Sequence, residues 1–234
     1  MKKLFLVLAG IIVVTAINAQ SLEEIVKKFT EANKYDKIAA LSTIKITAKM
    51  SAMGMDIPME MWMKNPNKIK TVTSFSGQEA ISVFDGVKGY SVNPMSGSTA
   101  PVEMTAEQIK QIQNSNMFQN TLANYLKSGK LTLLGEEKVN DKTAFKIKAE
   151  LDGGNYTNMF IDKTTYLLIK NSATVNSGGQ SMTVDSYPTD YKEINGLLIP
   201  MKTTSSAQGM EFSIVFDKVE VNVPMDDSIF KLKQ

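Results

Sequence analysis

The sequence predicts a mainly β protein, with roughly eleven or twelve short antiparallel strands closing into a sandwich or barrel and a few short helices covering it. Three observations predict this. Turn signals recur at short, regular intervals, among them Asn65-Pro66-Asn67, Ser76-Gly77, Asp85-Gly86, Asn140-Asp141, Ser177-Gly178-Gly179, Asn195-Gly196 and Gln208-Gly209. Between them, apolar and polar residues alternate with the period of a half-buried strand. Only Ser21–Ala40 and Thr105–Lys127 replace that period with a helical one.

The first nineteen residues read as a removable export signal. Lys2 and Lys3 precede an apolar run from Leu4 to Ile17, and Ile17-Asn18-Ala19 offers a cleavage site before Gln20. The run is short for a membrane span, which needs about 20 apolar residues, and no stable membrane insertion is expected elsewhere. The chain is therefore expected to divide into a signal peptide, 1–19, and one domain, 20–234, working outside the cytoplasm. About 215 residues suffice for a single core without staples. With no Cys there is no disulfide and no thiol to carry a lipid anchor.

Ser21 with Glu24 forms a capping box, and Leu22, Ile25, Val26 and Phe29 follow on one helical face, so a helix is expected over Ser21–Ala40. Ile44, Ile46, Ala48 and Met50 then alternate with Lys45, Thr47 and Lys49. The stretch Ile57–Pro94 reads as a meander. In its first strand Ile57, Met59, Met61 and Met63 share one face, and Pro58, Glu60, Trp62 and Lys64 the other. Six of the fifteen methionines lie between Met50 and Met63. Methionine is flexible and polarizable, so two readings stay open: ordinary core filling, or the lining of a cavity for an apolar ligand of variable shape.

Thr105 with Gln108 is a second capping box, followed by Ile109 and Ile112 one turn apart. After Asn114-Ser115-Asn116, a second helical spacing joins Phe118, Leu122, Tyr125 and Leu126, ending at Gly129. These two helices either pad the sheet permanently or form a lid that can lift. Strands resume at Lys130. Phe145, Ile147, Ala149 and Leu151 alternate with Lys146, Lys148 and Glu150, and Phe212, Ile214 and Phe216 mark the final strand. Asp226 to Phe230 reads as a closing turn.

Composition removes several function classes. There is no His and no Cys, which excludes Ser-His-Asp and cysteine nucleophile chemistry and zinc sites of the usual type; no metal and no cofactor is expected. No phosphate-binding loop is present: Gly129-Lys130 is followed by Leu131. The basic residues are all Lys, and once Lys2 and Lys3 are removed they balance the acidic ones, which argues against a nucleic-acid partner. A carboxylate pair or a Ser–Lys dyad would be the remaining routes to catalysis, but no motif points to either. The expectation is a binding protein, not an enzyme.

Trp62-Met63-Lys64-Asn65-Pro66-Asn67-Lys68, then Asp85-Gly86, Tyr90 and Asn93-Pro94, resembles the core pattern of the LolA-like periplasmic lipoprotein carriers. The order of signal peptide, N-terminal helix, strands, two helices and further strands is similar as well. Asp190-Tyr191-Lys192-Glu193-Ile194-Asn195-Gly196-Leu197-Leu198-Ile199-Pro200 looks like the members found in Bacteroidota-type envelopes. The resemblance implies a half-open antiparallel β-barrel with a helical lid over an apolar concave face. It implies a carrier of acylated lipoprotein or lipid cargo, loaded by an inner-membrane release complex and unloaded to an outer-membrane acceptor. An alternative is a lipid-sensing or partner-binding module using the same groove. Ile57, Met59, Met61, Met63, Ile69 and Phe75 of the meander would then line the cavity with Phe145 and Ile147. Ile109, Ile112, Phe118, Leu122, Tyr125 and Leu126 would form the lid. The family carries an Arg beside the turn proline that helps latch the lid; here that position is Asn65, which lacks a cationic fork.

Overall fold

The computed structural model describes residues 20–114, 116–177 and 180–232; the expected signal segment, 1–19, and the turn signal at Gly178-Gly179 lie outside them. In chain order the elements are α1 (Leu22–Ala32), α2 (Tyr35–Ala39), β1 (Thr43–Ala52), β2 (Met55–Lys64), β3 (Lys68–Phe75), β4 (Gln78–Phe84), β5 (Gly89–Asn93), β6 (Ser98–Glu103), α3 (Ala106–Asn114), α4 (Thr121–Lys127), β7 (Leu131–Val139), β8 (Lys142–Glu150), β9 (Tyr156–Asp162), β10 (Leu168–Ser177), β11 (Gln180–Ile194), β12 (Leu197–Ala207) and β13 (Met210–Val221).

The strands form one antiparallel sheet in the order β6-β5-β4-β3-β2-β1-β13-β12-β11-β10-β9-β8-β7. Every neighbouring pair is consecutive in sequence except β1 with β13, so the last strand closes back on the first. β6 and β7 remain as edges, and the barrel is half-open, as the resemblance implies. Two-residue hairpins set much of the register. Met53-Gly54 (φ 52° and 77°) joins β1 to β2, and Asn195-Gly196 (φ 50° and 80°) joins β11 to β12, as expected of turns that match strand twist. Bulges at Thr47/Ala48, Leu133/Gly135 and Leu168/Lys170 let so wide a sheet curl.

Three expectations need correction. Among the described residues there are thirteen strands, where roughly eleven or twelve are expected. β6 shows no alternation and contains Pro101, a residue tolerated on an edge strand, where it removes no needed ladder bond. The helix expected over Ser21–Ala40 is two. It breaks where Lys34 turns left-handed (φ 54°) and Asn33 Nδ2 donates to Phe29 O at 2.8 Å, satisfying a terminal carbonyl of α1. The break redirects α2, so that Ile38 packs into the core. Finally, Phe118 precedes α4, whose N-cap is Asn120.

The helices lie on the concave face, and the core under them falls into two clusters. The first joins Ile44, Ile46, Met63 and Ile69 of the β1–β3 region to Ile199 and Met201 of β12. The second joins Ile25, Val26 and Phe29 of α1 and Leu122 of α4 to Phe145, Ile147 and Ile161. On the convex face Trp62 lies between Lys45 and Lys70, with each ammonium about 5 Å from the ring centroid (5.4 and 5.2 Å). The expected closing turn is one turn of 3-10 helix, Asp227–Phe230, tied to the sheet by Asp227, which bridges Lys64 and Lys68 at 2.7 Å each.

Candidate functional site

The alternation in β2 places its methionines inward. Pairing of Ile46 with Met61 and Ala48 with Met59 lays the stripe against β1, and pairing of Met63 with Ile69 carries it to β3. Met59 and Met63 are 8% and 3% exposed; Met61, Ile57 and Phe75 are half-buried. Met53 and Met55 lie exposed near the hairpin and do not extend the stripe. Glu60 points the other way and pairs with Lys45 at 3.4 Å. Phe145 and Ile147 are fully enclosed, but in the second cluster, under α1 and α4. The expected lining is thus split between two packed regions of one face.

The two helices after β6 close that face. The Thr105–Gln108 capping box forms reciprocally, with Thr105 N donating to Gln108 Oε1 at 2.8 Å and Gln108 N to Thr105 Oγ1 at 3.2 Å. Along α3, Ile109 meets buried Gly89, where a β-carbon would come within 2.6 Å of Met104 Sδ and 3.3 Å of Ile109 Cγ1. Ile112 and Phe118 pack on the first cluster, whereas Leu122 and Leu126 pack on the second; Tyr125 is half-buried. The lid segment therefore straddles both clusters.

Two asparagines tie it down. Asn116, only 4% exposed, donates through Nδ2 to Pro66 O at 2.8 Å and accepts at Oδ1 from Phe118 N at 3.0 Å. Asn120 caps α4 by accepting from Ala123 N at 3.1 Å and donates to Thr30 Oγ1 of α1 at 2.7 Å. Asn65, the expected latch position, sends its side-chain amide to Ala39 O and Leu41 O at 3.2 and 2.8 Å, holding the β2–β3 turn to the end of α2. The link from this turn to the lid comes from the next residue, Pro66. In the sequence Asn116 stands only between two helical spacings; its buried partner is 50 residues away.

Where the clusters meet, a pocket of about 150 Å³ opens among Phe29, Tyr35, Ile38, Met117, Tyr191 and Ile199. Tyr35 packs against both clusters. Burial raises the phenols of Tyr35 and Tyr191 above the ordinary tyrosine range, so both stay protonated at neutral pH. A larger cleft of about 340 Å³ lies on the convex side, between Trp62 and Met225. Lys45, Glu220 and Asp226 line it, and an acyl chain there would desolvate charges. The concave pocket is the better apolar site.

Two of the more enclosed acidic side chains are tied into the sheet and its turns. Asp162 is buried, which raises its carboxyl, but the amides of Thr165 and Thr164, each donating at 2.8 Å, outweigh this and hold it below the usual range. Asp185 pairs with Lys170 at 2.8 Å. Among the described residues no group of three or more His, Cys, Asp or Glu is placed to hold a metal ion.

No family model matches the sequence, and no curated protein matches it. Solved structures do. A LolA superfamily protein from Nitrosomonas europaea aligns over 92% of this chain and 99% of its own, with a TM-score of 0.61 at 13% identity. A domain named as an outer membrane lipoprotein-sorting protein, from Vibrio parahaemolyticus, aligns over 90% and 97%, with a TM-score of 0.61 at 11% identity. A DUF1329 family protein from Desulfovibrio piger aligns over 88% and 97%, with a TM-score of 0.61 at 11% identity. Thirteen antiparallel strands in an unclosed sheet, a helical segment across the concave face and these alignments over nearly whole chains converge: the chain has the fold of the LolA superfamily.

Proposed function

We propose that the protein is an exported carrier that shelters acyl chains of a lipoprotein, or of a related lipid, on its concave face and delivers them towards the outer membrane. The observation that carries this reading is the seam. An uncharged pocket bounded by Tyr35, Met117 and Ile199 continues into the cluster that holds Met59, Met61 and Met63, beneath a segment fixed by the side chains of Asn116 and Asn120. In this closed form the pocket is small. Loading requires α3 and the turn before α4 to lift, exposing the methionine stripe; each methylene then buried contributes about 0.8 kcal/mol. The Asn116–Pro66 bond takes the part of a latch, with Asn65 bracing the turn from behind. No nucleotide motif is present in the sequence, so release is assigned to a separate donor or acceptor at each membrane. No helix among the described residues is long and apolar enough to cross a membrane.

The test is native mass spectrometry with lipid extraction, on protein exported to a periplasm and purified without detergent. Acyl species are expected to co-purify and to be lost in Met61→Gln, which places an amide in the stripe at a half-buried position. Protein that emerges empty, or that retains the same lipid in the variant, would overturn the carrier reading.

A further inference from the structure

Cleavage after Ala19 makes Gln20 the first residue of the exported chain. The first residues of a domain are seldom tied down, yet this side chain is half-buried and held at both ends of its amide. Gln20 Nε2 donates to Glu24 Oε1 at 2.9 Å, and Gln20 Oε1 accepts from the Tyr166 hydroxyl at 3.0 Å. Lys28 closes the ring of contacts: its ammonium lies 2.8 Å from Glu24 Oε1 and donates to the Tyr166 hydroxyl at 3.3 Å. Glu24 and Lys28 share one face of α1, four residues apart. Tyr166 comes from the turn between β9 and β10, 146 residues from Gln20. There it stacks on the enclosed ring of Phe145, with centroids 6.2 Å apart, so the scaffold and not the terminus sets its position. Lys28, with help from Gln20, holds the Glu24 carboxyl below its ordinary range, and Glu24 is a carboxylate at neutral pH.

We propose that Gln20, once freed, closes to pyroglutamate, and that Tyr166 and Glu24 assist the closure. The α-amino nitrogen bonds to Cδ, the Cδ–Nε2 bond breaks and ammonia leaves. The proton that the amine loses passes by way of the Glu24 carboxylate to Nε2, and no other reagent is consumed. The Tyr166 O–H stabilises the negative charge that builds on Oε1 as the amine adds, the part of an oxyanion donor. Hydrogen bonds to a carbonyl lie near the amide plane, whereas the amine approaches Cδ from a face, so neither contact has to break first. The product fits the same site, because the lactam oxygen is the former Oε1 and keeps its bond from Tyr166. Closure also removes an ammonium from beside the N-cap Ser21, at the positive end of the α1 dipole, and leaves no free amine for an aminopeptidase. The proposal rests on the export reading, through cleavage after Ala19, and is independent of what the concave face carries.

The intact mass of protein exported to a periplasm gives the first answer. The expected value is that of residues 20–234 less one ammonia. The full mass of residues 20–234 would overturn the modification and leave export standing; a mass that starts at any other residue would overturn the cleavage itself. The assistance is read as a rate. Chain carrying a protease-removable leader is cut before Gln20 at about pH 8, where about half of the α-amine is neutral, and loss of ammonia is followed by mass. Closure should be about fivefold slower in Tyr166→Phe and in Glu24→Gln, the size of one hydrogen bond. Tyr166→Phe keeps a ring to stack on Phe145, so it should fold normally. The peptide Gln20–Thr30, which lacks Tyr166, should close at the slower rate as well, and its comparison with the unmodified protein decides the matter without either variant. Equal rates in protein, variants and peptide would overturn the assistance assigned to Tyr166 and Glu24.

Discussion

The two halves of the sheet are covered differently. Over β7–β10 the concave face is closed by α1, which buries Ile25, Val26 and Phe29, and by α4, which buries Leu122. Over β1–β5 the cover is α3, whose apolar residues Ile109 and Ile112 are only half-buried, and the turn that carries Met117 and Phe118. Aliphatic and aromatic side chains with few rotamers fill the first region. Methionines, which repack easily, fill much of the second. The contrast teaches which half is scaffold and which can open. A cover held by few enclosed side chains opens at low free energy.

The largest expected effects break the scaffold. Ile25→Ala removes a fully enclosed side chain between α1 and β8 and should cost about 2–5 kcal/mol, read as a cooperative drop in thermal midpoint. Ile112→Ala, on the thin cover, should cost about 1 kcal/mol or less while raising the binding of a hydrophobic dye. Equal losses at the two sites would remove the distinction between the halves. Native-state hydrogen exchange sharpens the same comparison: amides of α3 should exchange through local opening, and those of α1 only near the global unfolding free energy.

Next in size is the latch. Asn116→Ala leaves Pro66 O and the enclosed Phe118 N–H without their partner, at a cost of about 1–3 kcal/mol. Because the loss falls on the lid, dye binding and α3 exchange should both rise, with α1 exchange changed only by the global shift. Asn65→Ala frees the end of α2 instead and should destabilise without opening α3 selectively.

The alternation of Ile57, Met59, Met61 and Met63 made the inward face of β2 legible from sequence, because a period of two assigns faces whatever the neighbours are. It does not say where along a thirteen-strand sheet a face lies. That is why Phe145 and Ile147 were expected beside the methionines and are found under α1. The seam pocket was beyond any periodicity, since its lining draws on distant segments, around Phe29 and Tyr35, at Met117 and around Ile199. The break at Asn33–Lys34 was obscured by local pattern: Phe29 and Ile38 both suit a helix, and the side-chain bond from Asn33 to Phe29 O appears only once the turn exists. Asn116 was visible as a residue but not as a link, because its partner at Pro66 depends on how the lid folds back.

The smallest expected effect lies on the face away from the lid, and serves as a control for the comparison. Hydrogen bonds from Lys64 and Lys68 hold the Asp227 carboxyl down at about 2. A depressed carboxyl stabilises the fold above its unfolded value, near 3.8, and that contribution fades as pH falls through the folded value. Between about pH 4 and pH 2 the C-terminal turn should therefore loosen from β2 and β3. Asp227 is exposed, so the effect on global stability is small. It is best read locally, as a change in the fluorescence of Trp62, whose cleft the same segment borders. Asp227→Asn should flatten that pH response and leave α3 exchange as it was. Loosening of the lid over the same pH range, in step with Trp62, would mean that the two faces of the sheet are coupled, and that the opening half is not set by its own cover alone.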